Sequence, residues 1–124
     1  MVRVLLINPP PYQHVDEYDT PNFTRLGLAC LASSLRAAGS ATVEIVDGKF
    51  ERLSYDAILE RVRRFKPDVV GLTAFTNEIK PSARVAALVK ALSPSIVTVI
   101  GGVHPSVLPE RTLEEFPAFD YVVV

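Results

Sequence analysis

The chain has 124 residues, 48% of them hydrophobic and 22% charged, with a formal net charge of −1. That length fits one domain with a single core, the apolar content excludes a disordered chain, and near-neutrality removes the electrostatic case for nucleic acid or an acidic membrane surface. The lone Cys30 excludes an internal disulfide and any cysteine cluster for zinc or iron–sulfur within these residues.

The start, M-V-R-V-L-L-I-N-P-P, has too short an apolar run and prolines too early for a signal peptide or a membrane span, so a cytoplasmic protein is expected. Val2 to Ile7 reads as a strand, stopped by Asn8-Pro9-Pro10-Pro11. From Pro9 to Phe23 no periodicity appears, although connections in α/β units usually run about two to six residues. Its prolines and aromatics suit a functional loop better than a tether. Thr24 to Ala38 is a helix with Leu28, Leu31 and Leu35 on one stripe and Gly39 as its stop. Thr42 to Val46 is the next strand. Ser54 caps a helix whose apolar positions Tyr55, Ile58, Leu59, Val62 and Phe65 follow the helical period, and Lys66-Pro67 ends it. Asp68 to Thr73 is a third strand, Ile79 to Leu92 a helix, and Ile96 to Ile100 a fourth strand. A loop over Gly101-Gly102-Val103-His104-Pro105 comes next, then a short helix from Pro109 and a fifth strand over Phe119 to Val124.

Strands separated by single helical crossovers pair in parallel with right-handed connections. Their continuous apolar runs predict helices on both faces of the sheet, with Val99 in the core. The expected fold is flavodoxin-like (Rossmann-like), a doubly wound five-stranded parallel sheet of order 2-1-3-4-5, over one domain spanning 1–124. Ligands in such sheets sit outside the carboxyl ends of the strands. The segments there are the proline-rich loop, T-A-F-T-N-E from Thr73, and G-G-V-H-P from Gly101. Bare backbone, hydroxyls and aromatic faces with few charges suit a large, flat, mostly neutral ligand. Each piece also has an ordinary reading: a tight turn at the glycines, a surface loop at the prolines, a strand end at Thr73. His104 and His14 fit no metal-ligand spacing. Three familiar uses of the fold fail. The acidic residues of a phosphate-accepting receiver are missing, G-x-G-x-x-G is absent after the first strand, and prolines there lack the N–H donors of a flavin phosphate loop.

The blocks V-L-L-I-N-P-P, L-G-L-A-C-L-A-S-S-L-R-A-A-G, F-K-P-D-V-V-G-L-T-A, V-I-G-G-V-H-P-S-V-L-P-E and F-D-Y-V-V-V run through the chain in order. In them the sequence resembles the N-terminal cobalamin-binding domain of cobalamin-dependent radical S-adenosylmethionine enzymes, a group that includes methyltransferases and the anaerobic magnesium-protoporphyrin monomethyl ester cyclase. The resemblance implies a corrin ring and nucleotide tail across the carboxyl edge, with the dimethylbenzimidazole base detached from cobalt. It places Thr73 facing the tail and implies Ala74 and Phe75 as further cofactor-binding residues. Gly101 and Gly102 would leave room for the tail to pass, and Val103, His104 and Pro105 would border the ring or tail. On that view Gly102→Val blocks the tail without harming the fold, while Val99→Asp unfolds the domain.

Relatives that supply a histidine to cobalt carry D-x-H-x-x-G after the first strand. Aligning its glycine with Gly27 puts Asn22 and Thr24 in the places of aspartate and histidine. A threonine hydroxyl is a poor cobalt ligand. The resemblance therefore implies base-off cobalamin with no protein histidine on the metal, and Asn22, Phe23, Thr24 and Arg25 near the lower face. The cysteines for a 4Fe-4S cluster are absent, and the last strand has no polar tail. A longer parent is therefore expected, with the 4Fe-4S cluster and S-adenosylmethionine in a C-terminal catalytic domain that partners this one, while these residues alone catalyse nothing. The parent reaction would be methyl transfer or ring formation. The alternative is a degenerate domain that keeps the fold, has lost the cofactor and serves as a docking or substrate-lid module.

Overall fold

In the computed structural model residues 1–10 and 26–124 are described. The readings on the long loop, His14, Asn22, Phe23, Thr24, Arg25 and the start of the first helix lie outside the described residues. The element order is β1 (Val2–Asn8), α1 (Leu26–Ala38), β2 (Ala41–Asp47), α2 (Tyr55–Phe65), β3 (Val69–Thr73), a 3-10 turn (Thr76–Glu78), α3 (Ile79–Leu92), β4 (Val97–Gly101), α4 (Val103–Val107), α5 (Pro109–Glu115) and β5 (Tyr121–Val122). All four strand pairings are parallel, and the sheet order is β2-β1-β3-β4-β5, as the alternation predicts.

Local chemistry sets several boundaries. The Ser54 side chain accepts a 3.1 Å hydrogen bond from the Ala57 N–H at the start of α2. The helix closes where Lys66 turns left-handed (φ 54) and its N–H reaches the Val62 carbonyl at 2.9 Å, just before Pro67. At the amino end of β4, Asp120 Oδ2 accepts the Thr98 N–H at 2.9 Å and pairs with Lys90, while the Asp120 N–H donates to Thr98 Oγ1 at 3.1 Å. These bonds tie β5 to β4 in register even though β5 is short.

The pleat divides the side chains. Leu5, Ile7, Val70, Leu72 and Ile100 point to one face, where α2 and α3 bury Ile58, Val62, Val85 and Val89 against them. Val4, Leu6 and Val43 point to the other face and meet Leu28 and Ala32 of α1.

Four expectations need correcting. The stripe on α1 is Leu28, Ala32 and the partly buried Leu35, with only Leu31 turned outward at 47% exposure, because positions three and four apart share the buried side. The segment after Gly102 is the helix α4 rather than a loop. The last strand is only Tyr121–Val122, and Phe119 before it is a buried core residue. The second face is not covered throughout: α1 lies over β1 and β2, and no other helix among the described residues packs there, so Val97 and Val99 are half-buried rather than core. An aspartate at Val99 would therefore not be a buried charge.

Candidate functional site

The carboxyl ends of β3 and β4 are bonded to each other and to the segments that leave them. The Ala74 N–H donates to the Gly101 carbonyl at 3.2 Å, and the His104 N–H donates to the Ala74 carbonyl at 3.2 Å. Ser82, fully buried in the first turns of α3, donates its hydroxyl to the Thr73 carbonyl at 2.8 Å. The Phe75 N–H donates to Glu78 Oε1 at 3.0 Å, which fixes the 3-10 turn. This edge is held by backbone bonds and short turns, so its shape is built before any ligand arrives.

Seven residues singled out in the sequence meet there. Thr73 and Gly101 are register partners on one face, Ala74 is buried behind them, and Phe75 stands 41% exposed on the rim. Gly102 leads into α4, whose Val103 is 53% exposed. His104 lies half-buried with Nδ1 3.3 Å from Thr76 Oγ1, so the ring is steered toward the loop after β3. Asn22, Phe23, Thr24 and Arg25 lie outside the described residues, and the structure does not place them.

The two glycines serve different ends. Gly102 sits at φ +108, and a Cβ there would lie 2.9 Å from Thr73 Oγ1 and 3.0 Å from both the N and O of Ala74. Its bare α-carbon is already used by the chain's own backbone, which corrects the expectation that valine at this position spares the fold. At Gly101 a Cβ would touch only Val123, at 3.8 and 3.9 Å, an ordinary contact. Nothing in the packing of the described residues requires glycine at Gly101. Gly71, two residues before Thr73 on the same face, adds a third bare position, where a Cβ would come 2.8 Å from Leu6 Cδ2. Gly71 carries no signal in the sequence, because a glycine inside an apolar strand looks like a mere packing contact.

At the far carboxyl corner the ends of β1 and β2 carry a polar pair. Asn8 Nδ2 donates to Asp47 Oδ1 at 2.9 Å, and that oxygen also accepts the Phe50 N–H at 3.0 Å. Asn8 Oδ1 and Asp47 Oδ2 are buried without a hydrogen-bond partner among the described residues. The pair joins the two strand ends and shapes the turn after β2. Among the described residues no group of three or more His, Cys, Asp or Glu is placed to hold a metal ion.

The edge fits a cofactor held by shape better than one held by charge. Its surface is backbone, hydroxyl and apolar side chain, the bare side of Gly101 would accept a flat or threaded group, and His104 is the one ionisable side chain among the seven gathered residues. Cobalamin, a bulky and mostly neutral corrinoid with amide arms and a nucleotide tail, suits such a surface.

Comparison with known proteins agrees. A model of the B12 binding domain matches residues 19–124. The chain is 34% identical over 123 residues to the uncharacterized methyltransferase PH0819 of Pyrococcus horikoshii, covering 99% of this chain and 26% of that protein. It is 36% identical over 122 residues to the anaerobic magnesium-protoporphyrin IX monomethyl ester cyclase of Rubrivivax gelatinosus, covering 98% of this chain and 22% of the cyclase. Thus the chain spans about a quarter of the length of these relatives. Among solved structures, the cobalamin-dependent S-adenosylmethionine radical enzyme OxsB with aqua-cobalamin bound superposes with a TM-score of 0.76 at 23% identity, over 94% of this chain and 16% of OxsB. A cobalamin-binding protein from Desulfitobacterium hafniense DCB-2 gives 0.70 at 16% identity, over 99% of this chain and 52% of its own. At those identities the two structures speak for the fold, whereas the family model speaks for descent: the chain belongs to the B12-binding domain family.

Proposed function

We propose that this domain binds cobalamin across the carboxyl edge of its sheet, base-off, with no protein histidine on the cobalt. The observation that carries the reading is Gly101. It is bare on the face it shares with Thr73, and among the described residues, its chain neighbours apart, no atom comes closer than 3.8 Å to where its Cβ would be. A residue that gives up packing and costs chain entropy without serving the fold is best explained by a group outside the fold. In this reading the tail passes Gly101, Thr73 offers its hydroxyl to it, Ala74 and Phe75 line the loop above, and Val103 and His104 border the corrin rim. Asn22, Phe23, Thr24 and Arg25 take the lower face. When bound, the cofactor supplies a cobalt centre able to carry a methyl group. The chain's own residues supply position, a backbone-bonded seat and exclusion of water.

The domain would be one module of a longer polypeptide whose catalytic part holds a 4Fe-4S cluster and S-adenosylmethionine and performs methyl transfer or ring formation. The shared length with the methyltransferase and the cyclase supports this, since the matched stretch is about a quarter of each. The second reading, a cofactor-free docking or substrate-lid module, draws on Gly102. Its positive φ and its contacts with Thr73 and Ala74 make it necessary for folding whether or not a corrinoid binds. Half of the glycine pair is thus neutral between the two readings.

Mixing the protein with hydroxocobalamin and desalting separates them, a coloured protein fraction supporting the first and colourless protein the second. The electron paramagnetic resonance spectrum of the cob(II)alamin complex is expected to lack nitrogen superhyperfine splitting. Splitting from a protein nitrogen would overturn the histidine-free assignment.

A further inference from the structure

Two oxygens at the carboxyl corner of β1 and β2 are left over by the fold. Asn8 is 1% exposed and Asp47 8%, yet Asn8 Oδ1 and Asp47 Oδ2 have no hydrogen-bond partner among the described residues. The groups beside them are paired. Asp47 Oδ1 accepts from Asn8 Nδ2 and from the Phe50 N–H. The Asn8 carbonyl accepts the Gly48 N–H at 2.9 Å, and the Asp47 carbonyl accepts the Glu51 N–H at 3.0 Å. Turning the Asn8 amide over would set its oxygen against Asp47 Oδ1, so its orientation is fixed. Native proteins leave few buried acceptors unpaired, because each has forfeited its hydrogen bonds with water. Two on adjacent strands call for a donor that the described residues do not supply. Their place in the sheet says where it comes from. Asn8 pairs with Asp47, Thr73 with Gly101 and Ile7 with Leu72, so Asp47, Asn8, Thr73 and Gly101 form one row along the carboxyl edge. All four lie on the face of Leu6 and Val43, and three strand spacings of about 4.8 Å make the row roughly 14 Å long. Asn8 and Asp47 end their strands, so a group arriving over that edge reaches them without parting a strand pair.

We infer that Asn8 and Asp47 are a subsite for a primary carboxamide, one of the amide arms of the corrin, whose N–H groups their free oxygens accept. The inference rests on the reading of this edge as a cobalamin seat, and it names what holds the ring at the end of the row away from Gly101. Chemistry favours an amide. Both oxygens only accept, a carboxamide nitrogen offers two N–H donors, and it brings no second charge to be desolvated. The carboxylate makes such a bond stronger than a neutral acceptor would. A carboxylate or phosphate arm has no donor to give and would be repelled by Asp47. A metal ion lacks its ligands, because among the described residues no group of three His, Cys, Asp or Glu is placed to hold one.

The test is equilibrium dialysis of the protein against hydroxocobalamin, its isomeric monocarboxylic acids, in each of which one amide arm is hydrolysed, and their methyl esters. The acid and the ester of one arm should each bind about tenfold more weakly or worse, the acid through lost donors and repulsion, the ester through lost donors alone. The remaining arms serve as controls. Asp47→Asn localises the effect, since its side-chain oxygen can keep the bonds from Asn8 and Phe50 while an NH2 group replaces Oδ2. In that variant the preference should reverse, the acid of the same arm binding better than hydroxocobalamin. Asn8→Leu is the second variant in case the first does not fold, and in it the advantage of the amide over the ester should shrink. Acids and esters that all bind the wild type like hydroxocobalamin would overturn the inference without any variant, leaving a trapped water as the partner of the two oxygens. A discrimination that both variants leave unchanged would overturn it too. The cobalamin reading survives either result, whereas a protein that retains no hydroxocobalamin overturns that reading and this inference with it.

Discussion

At Gly102 the backbone is left-handed at φ +108, and the space a side chain would need is filled by Thr73 Oγ1 and the Ala74 backbone. Substituting alanine there should cost about 1–3 kcal/mol through backbone strain alone, with the crowding added on top, and lower the melting temperature clearly. Gly101→Ala should leave the stability within about 0.5 kcal/mol of wild type, since its Cβ meets only Val123 at contact distance, yet weaken cobalamin binding. Melting curves of the two variants side by side check this, and equal destabilisation would contradict the separation of roles. The doublet itself was legible as a bare turn, but which glycine serves the fold was not. That depends on where Ala74, distant in sequence, brings its backbone.

Among the elements, the joint between β4 and β5 makes a statement about acid. Partial burial alone would raise the Asp120 carboxyl. Its hydrogen bond with Lys90 and that from the Thr98 N–H, the Lys90 charge and the Thr98 hydroxyl together outweigh burial and hold it below the ordinary 3.8. A depressed carboxylate contributes stability that is fully present above its unfolded value and is lost as pH falls through the lower folded value. Asp120→Asn should therefore be less stable than wild type at neutral pH, and the gap should close as pH drops below about 3.8. Denaturant titrations across that range check it, and a gap independent of pH would contradict it. The helices and strands were readable because their apolar spacing and stops agree, as at Ser54 and Lys66-Pro67. α4 was not: glycines followed by His104-Pro105 read as loop, although a proline in a first turn forfeits no helical bond. Leu31 misled for a related reason, since leucine spacing alone does not say that the smaller Ala32 faces the sheet.

For the molecule as a whole, the order of the sheet follows from alternation and handedness, and with it the position of the edge where the candidate residues gather. The strands' uniform apolarity could not disclose that no described helix covers one face over β3 to β5, because a strand buried by a neighbouring segment and one left half-buried have the same composition. The lower-face residues belong to a stretch whose amino acids, Asn22-Phe23-Thr24-Arg25, argue chemistry without giving geometry. Among the described residues no helix is long and apolar enough to cross a membrane. The most direct measurement is the affinity of the protein for cobalamin and for cobinamide, which lacks the nucleotide tail, before and after Gly101→Val. A tail lodged past Gly101 predicts that cobalamin binds about tenfold tighter or more, and that valine erases this advantage while sparing cobinamide. Equal affinities in the wild type, or an advantage that survives the valine, would contradict it.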